Sequence, residues 1–252
     1  MNPSPIIRLN SVGIRRPDDS LPLLEGVDWT VFTGDWWEVT GAHGSGKTAL
    51  LLSLAGLIPT VAGTITSFGD PVVAGAPKPP GWVPRVGLVF EGGGRLLRDR
   101  KVAENIALPI GYHRNSTLPE AIEQVWPWIE TLDLERLADA PAGRIGRAWA
   151  QRVALARALS LDPEVLLLDN PTVGMDETHS EWWQGFLIRL RQGHPLLKHR
   201  PMTLIETTDA PRIGIQPQPQ RAHLENSRLL ILPPTRTPGI QGSHDNPLVR
   251  HP

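Results

Sequence analysis

The chain contains no cysteine, which excludes disulfides and thiolate metal sites and makes an intracellular setting the mild default. It also has no long apolar run. The longest largely apolar stretch, residues 49–58, is too short to span a bilayer, so any membrane role is expected to come through a partner. Neither sign of charge is in excess: 25 Lys and Arg against 26 Asp and Glu give a formal charge of -1, which predicts no polyanionic partner and no nucleic acid. The opening MNPSPIIRLN lacks a basic region followed by an apolar core, so no secretory signal is expected.

What is present is 252 residues at 40% hydrophobic content, enough for one globular domain with a subdomain insertion. The 26 prolines are many for this length and cluster after Arg200, where nine of them fall and where PQPQ, LPPTRTP and the final GSHDNPLVRHP read as loops and a loose tail. Order is expected to fade near Pro233, leaving residues 233–252 as a proline-rich tail without an interpretable motif. The 9 tryptophans, including the WW pairs at 36 and 182 and WPW at 126, read as core and amphipathic surface rather than a binding cage.

Short apolar runs at residues 36–40, 86–90, 165–168 and 202–207, bounded by turn or charged residues, have the form of buried parallel strands. They alternate with helix-like segments: residues 48–57, stopped near Pro59, and residues 151–160, ending before Pro163. This alternation predicts an α/β core with a mostly parallel sheet. Helix-like stretches around residues 102–108 and 119–137 interrupt the pattern and predict an inserted helical subdomain, placed at about residues 92–160. Residues 6–14 and 27–32, joined by the polar RRPDDS turn, predict antiparallel strands flanking the core.

Between a predicted strand and a predicted helix, residues 41–48 read GAHGSGKT, matching G-x-x-x-x-G-K-[ST]. Glycines at 41, 44 and 46 let the backbone curl so that successive amides point at phosphate oxygens, and the following helix adds its positive end. Ser45 and His43 lie within the loop, His43 as a tolerated loop residue. Lys47 is then expected on the outer phosphates and the Thr48 hydroxyl on magnesium. Asp169 closes an apolar strand roughly 120 residues later, as a magnesium-directed aspartate does in such folds. A P-loop NTPase binding ATP and Mg2+ is the expectation.

Further motifs carry a resemblance. QRVALARAL at residues 151–159, then DPEVLLLD at 162–169 followed by Pro171 and Thr172, closely resembles the ATP-binding subunits of ABC transporters; VAENIALP at 102–109 is similar to the stretch after their glutamine loop. The resemblance covers most of residues 5–232, and within the family it extends to the ATPases of Mla-type lipid-transport systems. It implies a RecA-like core, an antiparallel β subdomain and a helical subdomain that docks on a transmembrane permease. It also implies a second ATP-binding subunit, like or unlike, so that two chains sandwich two ATP molecules at the inner, cytoplasmic face of the membrane. One cassette with no zinc motif, coiled-coil insertion or basic stripe disfavours a DNA-repair or translation-type relative.

Carried over residue by residue, the resemblance exposes departures. Where the family signature reads LSGGQ, residues 145–149 read IGRAW: Gly146 replaces the serine, and Arg147 and Ala148 replace tight glycines. Glu91 stands for the glutamine of the glutamine loop, where its carboxylate can still ligate magnesium, and three glycines follow it. Thr208 stands for the switch histidine before Asp209; it cannot carry the charge or relay a proton at neutral pH. Arg15 or Arg16 replaces the aromatic that stacks on adenine, and a guanidinium can still stack on a purine. Asn170 stands for the catalytic glutamate. An amide orients water but cannot accept its proton, and general-base help contributes about 10²- to 10⁴-fold in rate. Glu206, two residues before Thr208 on the same strand face, and Glu91 are the candidate substitutes.

Three readings stay open on these residues: a degenerate ATP-binding subunit with weak or absent hydrolysis, an active transporter ATPase with non-standard catalytic residues, and a non-enzymatic structural or regulatory adaptor.

Overall fold

The computed structural model describes residues 5–15, 22–77, 83–211 and 217–233. Arg16 and the tail beyond residue 233 lie outside the described residues. In chain order, β1 (Pro5–Arg15) and β2 (Pro22–Phe32) precede β3 (Trp36–Gly41) and α1 (Lys47–Leu54). β4 (Ala62–Ser67), β5 (Asp70–Pro71) and β6 (Val86–Val89) lead to α2 (Val102–Arg114), α3 (Leu118–Thr131) and α4 (Arg147–Leu159). β7 (Val165–Asp169), α5 (Glu177–Gly193), β8 (Thr203–Thr208), β9 (Gln220–Glu225) and β10 (Arg228–Leu232) complete it.

A six-stranded sheet runs in the order β10-β9-β3-β8-β7-β6, parallel from β9 to β6, with only β10 antiparallel. Its central strands read as continuous apolar runs because both faces are covered. The two faces sort alternate residues of one strand. On β7, Leu166 and Leu168 join a core with Trp36 of β3 and the helices α2 to α5, while Val165 and Leu167 join a second core with Trp37, α1 and the β1–β2 ribbon. Adjacent tryptophans therefore serve opposite cores, as the period of two requires. A four-stranded antiparallel sheet, β2-β1-β4-β5, caps the second face.

α4, the helix of the QRVALARAL motif, packs beneath the sheet and is tied to the loops before it. Gln151 is fully buried and accepts a hydrogen bond from the Gly93 amide, and Arg157 donates to the Arg95 carbonyl at 2.8 Å. In α2, the buried Asn105 side chain accepts from the Leu97 amide at 2.8 Å and donates to the Leu97 and Lys101 carbonyls, each at 3.0 Å. An amide with both donors and acceptor engaged fixes the loop that enters α2. Pro109 lies inside α2 and Pro127 inside α3, and neither ends its helix.

The elements not foreseen are informative. The region after Arg200 holds strands β9 and β10 between the proline stretches read as loops, and α5 and the β4–β5 hairpin were not read at all. Shorter differences fall at helix ends, where α1 stops at Leu54 rather than at Leu57 and α2 runs on to Arg114.

Candidate nucleotide site

The C-terminal end of β3 turns sharply into α1. A Cβ built at Gly41 would lie 2.6 Å from Ser45 Oγ and 2.8 Å from the Leu224 carbonyl, so the turn closes against β9 only with glycine there. Gly46 caps α1 at φ 102, a conformation side chains rarely adopt, and points the first amides of the helix into the open space above the loop. That space is a cleft of about 820 Å³ lined by Arg15, by His43, Gly44, Gly46, Lys47 and Thr48 of the loop and the start of α1, and by Glu91, Asp169, Asn170 and Asp209. Leu23, Leu52, Ile58, Pro59 and Val61 add an apolar wall suited to an aromatic base.

Polar contacts in the cleft fall into two interlocked groups. Lys47 is buried to 7% exposure and donates to the Gly41 carbonyl at 2.6 Å and the Ala42 carbonyl at 3.0 Å, with the Asp209 carboxylate at 3.1 Å. Thr48 Oγ1 donates to Asp169 Oδ2 at 2.9 Å, and Thr207 Oγ1 donates to Asp169 Oδ1 at 2.9 Å. Burial pushes the Asp169 carboxyl above the usual aspartate value, with the Thr207 and Thr48 hydroxyls opposing it and the nearby Glu91 charge adding to it. A cation beside Asp169 relieves that cost.

The departures from the family pattern have partners of their own. Asn170 sits at φ 46 and donates from Nδ2 to Asp209 Oδ2 at 3.3 Å, while its backbone amide donates to Thr207 Oγ1 at 3.1 Å. Thr208 Oγ1 donates to the Ala210 carbonyl at 2.9 Å, which turns the switch hydroxyl into its own turn. Arg147, at the signature position, pairs with Glu91 at 2.9 Å, and its guanidinium lies within 4 Å of where Cβ atoms on Gly92 and Gly174 would stand.

Glu206 shares a strand face with Thr208, but that face is turned into the core. Glu206 is fully buried, accepts from Trp36 Nε1 at 2.9 Å, and is not among the residues lining the cleft, which corrects its candidacy as substitute base. The period that puts residues 206 and 208 on one face also puts Thr207 on the other, beside its register partner Asp169. Thr207 and Asp209 are the site residues that sequence reasoning passed over. The signal for Thr207 was the alternation on β8; for Asp209 there was none beyond its place at the end of that strand.

A family model described as ABC transporter matches residues 24–173. The chain belongs to the ABC transporter ATP-binding family. It is 35% identical over 178 residues to the Nod factor export ATP-binding protein I of Burkholderia lata, covering 69% of this chain and 56% of that protein. It is 34% identical over 177 residues to the sulfate/thiosulfate import ATP-binding protein CysA of Methylococcus capsulatus, covering 69% of this chain and 49% of that protein. The chain thus spans about half the length of the curated relatives it matches. In fold it matches a dimeric bacterial ABC transporter cassette at TM-score 0.75 and 21% identity, over 88% of this chain and 96% of that one. CbiO1 of Clostridium perfringens, part of the ABC transporter complex CbiONQ, matches at TM-score 0.71 and 20% identity over 90% and 87%.

Nucleotide binding is the common property of this family, and the ABC assignment and P-loop fold expected from the motifs stand. Magnesium fits the donors present. The Thr48 hydroxyl and the Asp169 carboxylate are hard oxygen ligands held together, and no group of three His, Cys, Asp or Glu able to enclose an ion occurs among the described residues. An ion bound through one or two protein oxygens and completed by phosphate and water is the magnesium pattern. Glu91 lines the same cleft, with Arg147 already on its carboxylate. No helix of the described residues is long and apolar enough to cross a membrane.

Proposed function

We propose that the chain is the ATP-binding subunit of an ABC transport system, holding Mg-ATP firmly and turning it over slowly. The observation that carries this reading is the contrast at the end of β7. Asp169 is held by Thr48 and Thr207 for magnesium, and the next residue, Asn170, offers an amide where a proton acceptor would stand. In this reading the amides at the start of α1 and Lys47 take the phosphates, and Arg15 with the apolar wall takes the base. Magnesium, when bound, neutralises phosphate charge as a Lewis acid. Lys47 is already positioned by two backbone carbonyls, and its third contact, the Asp209 carboxylate, is the one that phosphate displaces.

A transmembrane permease and a second ATP-binding subunit complete the proposed assembly at the inner face of the membrane. Cargo choice belongs to those partners, since the named relatives serve an exporter of one substance and an importer of another. The test is to incubate the purified chain with labelled ATP and magnesium, isolate the protein and identify the retained nucleotide. Intact ATP with slow phosphate release is expected. Failure to retain nucleotide rejects the binding role, and turnover at rates of ordinary ATPases, about 1 s⁻¹ or faster, rejects the slow one.

A further inference from the structure

We propose that Asp209 is the proton acceptor for the ATP that this cleft turns over. The proposal rests on the reading that the cleft holds ATP, and it replaces Glu206 and Glu91 in the role. Among the described residues, three carboxylates line the cleft: Glu91, Asp169 and Asp209. Asp169 has both oxygens engaged by the hydroxyls of Thr48 and Thr207, and stands where magnesium needs it. Glu91 is ion-paired with Arg147 at 2.9 Å. Asp209 remains, with its side chain 53% exposed at the mouth of β8.

The position of Asp209 is set by the very residue that replaces the expected base. Asn170 Nδ2 donates to Asp209 Oδ2 at 3.3 Å, so a carboxylate lies one hydrogen bond beyond the tip of the side chain at 170. A glutamate at 170 would set two negative charges against each other there, whereas asparagine makes the contact attractive. The left-handed backbone at Asn170, φ 46, is one that asparagine adopts more readily than most residues and that aims the amide at this corner. Asn170 and Asp209 together therefore form a divided equivalent of one glutamate: the amide positions and the neighbouring carboxylate accepts.

The second contact of Asp209 explains why the acceptor is held in reserve. Its Oδ1 lies 3.1 Å from Lys47 Nζ, so in this state the carboxylate occupies the lysine that an outer phosphate would claim. The hydrogen bond from Lys47, and then that from Asn170, hold its carboxyl below the usual aspartate range, so it is ionised before nucleotide arrives. When phosphate takes Lys47, Oδ1 is released while the tie to Asn170 persists. In the step itself, the oxygen of water bonds to the γ-phosphorus and the bond from that phosphorus to the bridging oxygen breaks. The electron pair leaves on the ADP oxygen, and the proton of the attacking water passes to Asp209.

Single-turnover phosphate release, with full-length chain in excess over labelled Mg-ATP, tests the assignment in wild type, Asp209→Asn and Asp209→Glu. Wild type is expected to release phosphate faster than ATP alone in the same buffer. Asp209→Asn is expected to bind ATP as tightly or more tightly, having lost the competitor for Lys47, and to release phosphate about 10² times more slowly. Asp209→Glu keeps a carboxylate and is expected to retain part of the rate. Unchanged release in Asp209→Asn with tighter binding would reduce Asp209 to a competitor for Lys47 and overturn the proposal, as would wild-type release no faster than ATP alone. Both of those outcomes leave the binding role standing. Loss of ATP retention in wild type would remove the binding role itself and the proposal with it.

Discussion

On one wall of the cleft Lys47, Thr48 and Asp169, with Thr207 buried behind Asp169, interlock around the position of phosphate and metal; on the other, Asn170 and Glu91, with Thr208 next to the cleft, give polar atoms to near neighbours. Both walls are well satisfied, but for different tasks. The first is organised to receive a ligand: a buried lysine on two carbonyls and a metal-ready pair of oxygens. The second is organised among its own residues, with Thr208 bonded to its own turn and Glu91 to Arg147. The difference teaches that the altered residues are not simply the family's residues with parts missing. Glu91 and Arg147 both depart from the family pattern and meet each other as an ion pair. Asn170, also a departure, meets Asp209.

The largest effect expected from testing this division is on the first wall. Lys47→Ala removes a charged hydrogen bond to phosphate, contributing about 1.5–3 kcal/mol, and should weaken ATP binding roughly 10- to 150-fold. Equilibrium titration with Mg-ATP reads the change. Asn170→Ala in the same titration should stay near wild type, because residue 170 belongs to the wall that does not grip phosphate. Equal losses in the two variants would break the comparison.

A second and smaller effect concerns the backbone of the loop. Gly46 has φ 102, and a Cβ there would stand 3.2 Å from Leu24 Cδ2. A left-handed conformation costs an L-residue about 1–2 kcal/mol, so Gly46→Ala should lower the melting temperature by about 2–8 °C. Thermal unfolding followed by circular dichroism measures it. ATP binding should fall in parallel, since the amides that cradle phosphate are carried by that same turn. A variant that melted like wild type would show that the loop tolerates the change by shifting, and that its shape is less fixed than the contacts imply.

Much of this arrangement was legible in the sequence, for identifiable reasons. The loop GAHGSGKT and the strand ending in Asp169 announce themselves because backbone curvature and metal ligation tolerate few residue types at those positions. The parallel core strands were readable because burial on both faces leaves apolar runs. β9 and β10 were not, since QRAHLE and RLLIL lie between proline stretches that outweighed them, and RLLIL leaves Leu230, Ile231 and Leu232 exposed. The facing of Glu206 was half legible: alternation correctly grouped it with Thr208, but only packing shows that Trp36 closes that face. The meetings of Asn170 with Asp209 and of Glu91 with Arg147 join residues 39 and 56 positions apart, which no local pattern encodes.

The smallest effect tests whether the second wall is one step from the family pattern or committed to its own. Gly146 caps α4 at φ -65 and ψ 158, an extended geometry open to any residue, and the nearest atom to an added Cβ is Trp149 Cδ1 at 3.9 Å. Gly146→Ser therefore fits without strain and restores the serine of the family signature. As an N-cap, serine exceeds glycine by a few tenths of a kcal/mol, so the melting temperature should rise by about 1 °C. Phosphate release should not follow, because Arg147 still sits on Glu91 and Asn170 still presents an amide. A gain in stability without a gain in rate would mean that the second wall is set by its pairs, so that returning one member alone changes the helix and not the chemistry. A tenfold gain in rate would mean instead that the signature serine was the limiting loss and that the two walls differ by less than their contacts suggest.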